Sequence, residues 1–402
     1  MSSAPVRCLI LFILLLPLRT TSAEDLRLRY LGHISMPKIP WDRATYEAGR
    51  HFGYSPGVFC FVPERDSFFV VGRREAELIA EISNPGPGKR AKLKHDFVDV
   101  TGGTREAVSK QVGHRVEIHG LLYDHGRVLL SAEKFYNVNN ERILTHASFA
   151  PDLDKPDFQG WWRIGDHLGQ TSAFYMTRLP NRFVKDGHWL LTGGSVSWRA
   201  SSSPGPCAVL AAPGRVEWMN PKAGQAVSTR TLLQYETGAE QKIDVANPKH
   251  RRRSAYSGGV EGWMGGCRIG GVAVIGDRLI YFGRQGDGFD YYGPAQDYRK
   301  QTGLAEPYDG KGYRCGPYKP AMWIYSLSGL FAGNRNVARM EFPWALNPNG
   351  TAQLGSACVH GDRLYVAEVG GEKLGSNPVP VIHVLRIVTS QSPQKPPTAP
   401  AG

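Results

Sequence analysis

The sequence predicts an all-β fold, a β-propeller of five four-stranded blades whose last blade is closed by the N-terminal strand. One hairpin recurs along the chain, at residues 57–72, 117–133, 269–284 and 354–368. Each copy is an apolar run, a tight turn such as Gly276-Asp277, and a second run rich in β-branched and aromatic residues. The composition agrees. With 41% hydrophobic and 10% aromatic residues, 47 Gly and 28 Pro among 402, the chain favours strands and turns over helices. No long window holds a helical period. A large β-sandwich would explain the strands but not the recurrence.

Residues 1–23 read as a signal peptide, with Arg7, an apolar run from Cys8 to Leu18, and the small-residue site Thr21-Ser22-Ala23. That run is short for a bilayer span, and no later segment is a candidate. A secreted or periplasmic chain without a transmembrane segment is therefore expected. Losing Arg7 and Arg19 takes 48 Lys+Arg to 46 against 36 Asp+Glu, a formal +10. Export argues against a nucleic-acid partner, and the basic balance fits either an anionic ligand or solubility. Cys60, Cys207, Cys267, Cys315 and Cys358 remain, too few for a disulfide scaffold and odd in number, so a monomer keeps at least one thiol unpaired.

A strand at 26–36 stops at Pro37, and 37–55 reads as a loop. The first unit is hairpin 57–72 with strands at 77–83 and 92–100; the second is hairpin 117–133 with 144–149 and 161–164. The third is less regular, with 172–177, 188–193, 207–212 and 229–235. The fourth is hairpin 269–284, an insertion running to 319, then 322–327 and 337–342. The fifth has only hairpin 354–368 and 381–388, so strand 26–36 belongs beside 381–388, where it removes an exposed edge. Residues 24–389 then form one domain, and the Pro-rich 390–402 a disordered tail.

Phe68-Phe-Val-Val-Gly72, Ala80-Glu-Ile-Ser83 and Phe282-Gly-Arg-Gln-Gly-Asp-Gly288 resemble a family of exported bacterial proteins with a predicted β-propeller fold. The resemblance covers most of the mature chain. It implies fold and export and carries no activity.

In such a fold the start of each first strand and the end of each second strand open on one face near the axis. Those positions hold Glu117, His119 and Arg268, then Arg73 with Arg74, Glu133 with Lys134, Arg284, and Glu368. A mouth of this kind binds a polar or anionic ligand, or closes on itself as ion pairs. Glu117 and Glu133 as general acid and base, with His119 as proton shuttle and Arg73 and Arg284 on a carboxylate or sulfate, would make a hydrolase or lyase acting on a polysaccharide. The acidic set that five-bladed glycosidases carry on several inner strands is not evident here.

The insertion brings Asp287, Tyr291 and Tyr292 over the mouth on a Gly-rich loop, where tyrosines stack on sugar rings or simply pack the loop down. Cys267 and Cys315 share this face and are expected to form a disulfide, whereas Cys60 and Cys358 on first strands read as buried thiols. No metal site is expected: His114, His119 and His125 do not converge, and Asp287-Gly-Phe-Asp290 lacks calcium-loop spacing. No motif names a cofactor. The leading expectation is an exported, monomeric binding scaffold for a polar ligand, carbohydrate among the candidates. The alternatives are the hydrolase or lyase, and a surface protein-interaction module. Exposed Tyr or Trp beside the channel would favour the first, two carboxylates facing one pocket the second, and a broad apolar exterior the third.

Overall fold

A computed structural model describes residues 26–40, 42–134, 137, 140–194, 206–214, 221–235, 267–286, 318–347 and 352–388. The architecture is predominantly β. Strand β1 (Arg27–Ser35) opens the chain, and β2 (Phe59–Val62), β3 (Ser67–Val71), β4 (Ile79–Ser83) and β5 (Leu93–Val98) follow as an antiparallel meander. The second meander is β6 (Val116–Asp124), β7 (Arg127–Lys134), β8 (His146–Phe149) and β9 (Gln159–Ile164); the third is β10 (Tyr175–Arg178), β11 (Leu190–Gly193), β12 (Ala208–Ala212) and β13 (Ala226–Leu233). The fourth comprises β14 (Arg268–Ile275), β15 (Arg278–Gly286), β16 (Tyr318–Ser326) and β17 (Val337–Glu341). Finally β18 (Leu354–His360), β19 (Arg363–Leu374) and β20 (Asn377–Val388) take β1 as their fourth strand.

The turns explain the hairpins. His125 and Gly126 both have positive φ (44° and 82°) between the paired residues Asp124 and Arg127, the two-residue geometry that matches strand twist. Gly276 and Gly361 lead the equivalent turns with φ of 61° and 57°, a position where a side chain would be strained. As expected, β1 runs antiparallel to β20, from Arg27 opposite Val388 to Ser35 opposite Val381.

The sheet count differs from the expectation. The second and third meanders merge into one eight-stranded sheet, because β13 meets β9 in parallel through Ala226–Arg163 and Val227–Ile164. Short helices also fall where none was expected, among them Arg43–Glu47 and Thr104–Gln111. The second buries Arg105 and Ser109 rather than an apolar stripe; Arg105 donates to the carbonyls of Val116 and Ala76 at 3.0 and 3.2 Å.

Every neighbouring pair of meanders shares an apolar cluster. Phe69 and Phe149 stack between the first and second, with centroids 6.3 Å apart. Trp162 and Leu190 meet between the second and third, and Tyr175 and Tyr281 edge-on at 5.4 Å between the third and fourth. Phe282 and Leu364 join the fourth to the last, and Phe61 stacks on Tyr365 at 5.5 Å between the last and the first. First strands follow the same order: β2 packs on β6, β6 on β10, β10 on β14, β14 on β18, and β18 on β2. Among the described residues no helix is long and apolar enough to cross a membrane.

Candidate functional site

Three first strands are interrupted at matching places. The register shifts between Ile118 and Gly120 in β6, between Ile269 and Gly271 in β14, and between Leu354 and Ala357 in β18. A β-bulge of this kind turns the extra residue away from the ladder. Here His119, Gly270 and Gly355 occupy the bulges, and all three line one cavity of about 310 Å³. Glycine is required at two of them by close backbone approach. A Cβ at Gly270 would sit 2.2 Å from the Leu354 carbonyl oxygen, and one at Gly355 2.4 Å from that of Gly57.

The charged lining is dominated by arginine. Arg268 opens β14 directly opposite Arg284 on β15, and Arg74 comes from the turn after β3. Among the described residues no carboxylate lies within 4.0 Å of the Arg268 guanidinium. Burial, with Arg74 and Arg284 nearby, lowers its pKa from 12.5 to about 9, with Glu117 acting in the opposite direction. Arg284 is oriented by the Tyr318 ring, 3.9 Å below its guanidinium carbon. His119 stacks on Phe174 with centroids 4.1 Å apart. Burial, then Arg268 and Arg74, hold its pKa well below 6.5, so the imidazole is neutral at neutral pH. Among the described residues the one carboxylate on the lining is Glu75, half exposed and bonded to Arg73 Nε at 2.7 Å.

The residues singled out from sequence divide accordingly. His119, Arg268 and Arg284 are brought together. Arg73 is not: it pairs with Glu75 and lies over the Tyr46 ring at 4.7 Å, while Arg74 takes its place on the lining. The chain turns at these residues, with the Ala76 and Glu77 N–H groups donating to the Arg73 carbonyl, and it is Arg74 that enters the lining.

Glu117 and Glu133 face each other across β6 and β7 yet neither lines the cavity. Glu117 is held by Arg115, whose Nε donates at 3.0 Å, and by Arg74 at 3.8 Å. Glu133 is fully buried; its Oε1 accepts from Asn137 at 3.0 Å, and its Oε2 lies against Gly169 without a hydrogen bond. Burial raises its pKa from 4.5 to about 8. The acid–base pair expected from the sequence is therefore not assembled at this cavity.

Glu368 also turns away from the lining. It accepts from His383 Nε2 and from the backbone N–H groups of Leu346 and Asn347, each at 2.8 Å, and His383 Nδ1 in turn accepts from the Tyr30 hydroxyl at 3.1 Å. Burial acts to raise the Glu368 pKa, but these donors outweigh it and hold the carboxyl below 4.5. A depressed folded-state pKa contributes stability above the unfolded value, which is lost as pH falls through the folded one. Glu368→Ala is expected to lower stability at pH 7 by about 2–4 kcal/mol, because three donors lose their acceptor. The deficit should shrink as the wild type is taken below pH 4.5, which urea unfolding at pH 7 and pH 3.5 measures.

Asp287, Tyr291, Tyr292 and Cys315 lie outside the described residues, as do 1–23 and 390–402. Cys267 is described and buried; Cys60 is a buried free thiol, and Cys358 a free thiol at partial exposure. Sequence reasoning missed Tyr54, Glu75, Phe174, Gly270 and Gly355, all on the lining. For the two glycines a signal existed in the aligned bulges Ile118-His-Gly120, Ile269-Gly-Gly271 and Leu354-Gly-Ser356.

No family model and no curated protein matches the chain. Among solved structures it is similar to the tail fiber of Staphylococcus aureus phage P68, with TM-score 0.39 and 9% identity over 92% of this chain and 54% of that one. The phage phi92 endosialidase gives 0.35 and 12% identity over 94% and 54%. A luciferin-regenerating enzyme gives 0.35 and 10% identity over 90% and 95%. The chain thus spans about half the length of the two phage proteins, 54% in each case. Similarity at these scores carries no argument about a ligand.

Proposed function

We propose that the chain is an exported binding scaffold for a small anionic ligand, held at the axial mouth of a five-bladed propeller. Support for the propeller comes from the cyclic order of first-strand contacts, the apolar cluster shared by each neighbouring pair, and the closing of the last meander by β1. The binding reading rests on Arg268. Its guanidinium meets the cavity with no carboxylate in ion-pair reach among the described residues, in the field of two further arginines. Like charges gathered in one enclosure destabilise each other, and a carboxylate, sulfate or phosphate entering it relieves that repulsion while accepting paired N–H donors. His119, neutral beside them, can donate to the same anion without adding to the repulsion.

Titration calorimetry with sulfate and acetate, at ionic strength held constant with chloride, tests this. Both anions should give saturable binding and raise the melting temperature. Occupancy at a hundredfold excess over Kd is worth about 2.7 kcal/mol. Glucose should do neither. A response to sulfate no different from that to chloride would remove the reading.

A further inference from the structure

Tyr54 lies on the rim of the same cavity in an unusual state. It is 53% exposed, and among the described residues its ring and hydroxyl make no ring contact or hydrogen bond. Its backbone has a φ of +58°, a region that bulky side chains rarely enter. The loop enforces this: Tyr54 N–H donates to the Pro378 carbonyl at 2.9 Å, Ser55 N–H to Phe52 at 3.2 Å, and Ser55 Oγ to Val71 at 2.6 Å. A strained backbone that presents an aromatic face to solvent beside a cavity is a feature of contact surfaces. The lining of the same cavity also includes Glu75, an acceptor that repels pure anions, along with Arg74 and Arg268. A ligand satisfying all three groups needs an acid group for the arginines, hydroxyl donors for Glu75, and an apolar ring face for Tyr54. Sulfate lacks the last two, and an aromatic acid lacks the hydroxyls.

We propose that the ligand is an acidic pyranose unit, a sugar ring bearing a carboxylate or sulfate, with its acid group on Arg268 and its ring against Tyr54. This rests on the anion reading above and goes beyond it by naming the ligand class.

Calorimetry with glucuronate, sulfate, glucose and benzoate decides it. On the wild type, glucuronate should bind at least ten times more tightly than sulfate or benzoate, since ring stacking and hydroxyl contacts add to the ion pair. Tyr54→Ala should weaken glucuronate about tenfold and leave sulfate unchanged, whereas Tyr54→Phe should keep the glucuronate affinity. Glu75→Gln should weaken glucuronate and not sulfate. If benzoate matches glucuronate on the wild type, or Tyr54→Ala affects neither ligand while both still bind, the sugar-acid assignment falls and the anion site stands. If neither sulfate nor glucuronate binds the wild type, both fall. The wild-type comparison stands without any variant, should Tyr54→Ala fail to fold.

Discussion

Arg268→Met is expected to reduce sulfate and glucuronate affinity by about 30- to 1000-fold, the cost of truncating one partner of an enclosed charge pair. Methionine keeps much of the aliphatic stem, so packing around the start of β14 changes little. The unliganded protein should respond in the opposite sense. Removing a guanidinium whose pKa is already depressed by burial, Arg74 and Arg284 takes away a repulsive group, so its melting temperature should hold or rise. Loss of binding together with undiminished apo stability separates a ligand contact from a structural residue. A variant that melts earlier and binds sulfate as before would show that Arg268 serves the fold alone.

Glu133→Gln should raise stability by an amount that depends on pH. The carboxyl titrates near 8 in the folded chain against 4.5 for the ordinary group, because burial outweighs the help of Asn137 and Lys134 beside it. The unfolded chain can ionise it from 4.5 upward while the folded chain cannot, so stability drains away between 4.5 and 8. Each unit of such a shift is worth about 1.4 kcal/mol, which puts the full effect at a few kcal/mol. Glutamine keeps the acceptor for Asn137 and never ionises. Urea unfolding should therefore find the variant about equal to wild type at pH 5 and more stable at pH 8 by about 2–4 kcal/mol. Parallel stability curves across that window would contradict a buried neutral acid.

The hairpins were legible because turn chemistry and strand period act locally. Gly276-Asp277 and His125-Gly126 declare their turns in two residues, and the flanking runs need no distant partner to be recognised. Aligning those hairpins was enough to place His119, Arg268 and Arg284 together. The rest depended on contacts far apart in the chain. Helix Thr104–Gln111 hides from an apolar-stripe search because its inward face is Arg105 and Ser109, satisfied by the carbonyl of Val116 and the backbone N–H that follows Arg115. Glu368, like Glu133, lies toward the end of a hairpin's second strand, yet it ends among three donors supplied by residues 346, 347 and 383. Glu133 is dry because Gly169 closes over it. No short window contains either outcome. Tyr54 sat in a stretch read only as loop, and its φ and exposure exist only once Pro378 has come alongside.

The pairing of β1 with β20 has a mechanical consequence. Because Arg27 lies across from Val388, both chain ends leave the ladder from the same side. Tension applied between the ends therefore peels the rungs apart in sequence, beginning at Arg27, instead of shearing them all at once. Under load this clasp is the weak link: it would open at modest force and release the last meander, while the three junctions that do not involve that meander still carry their aromatic contacts.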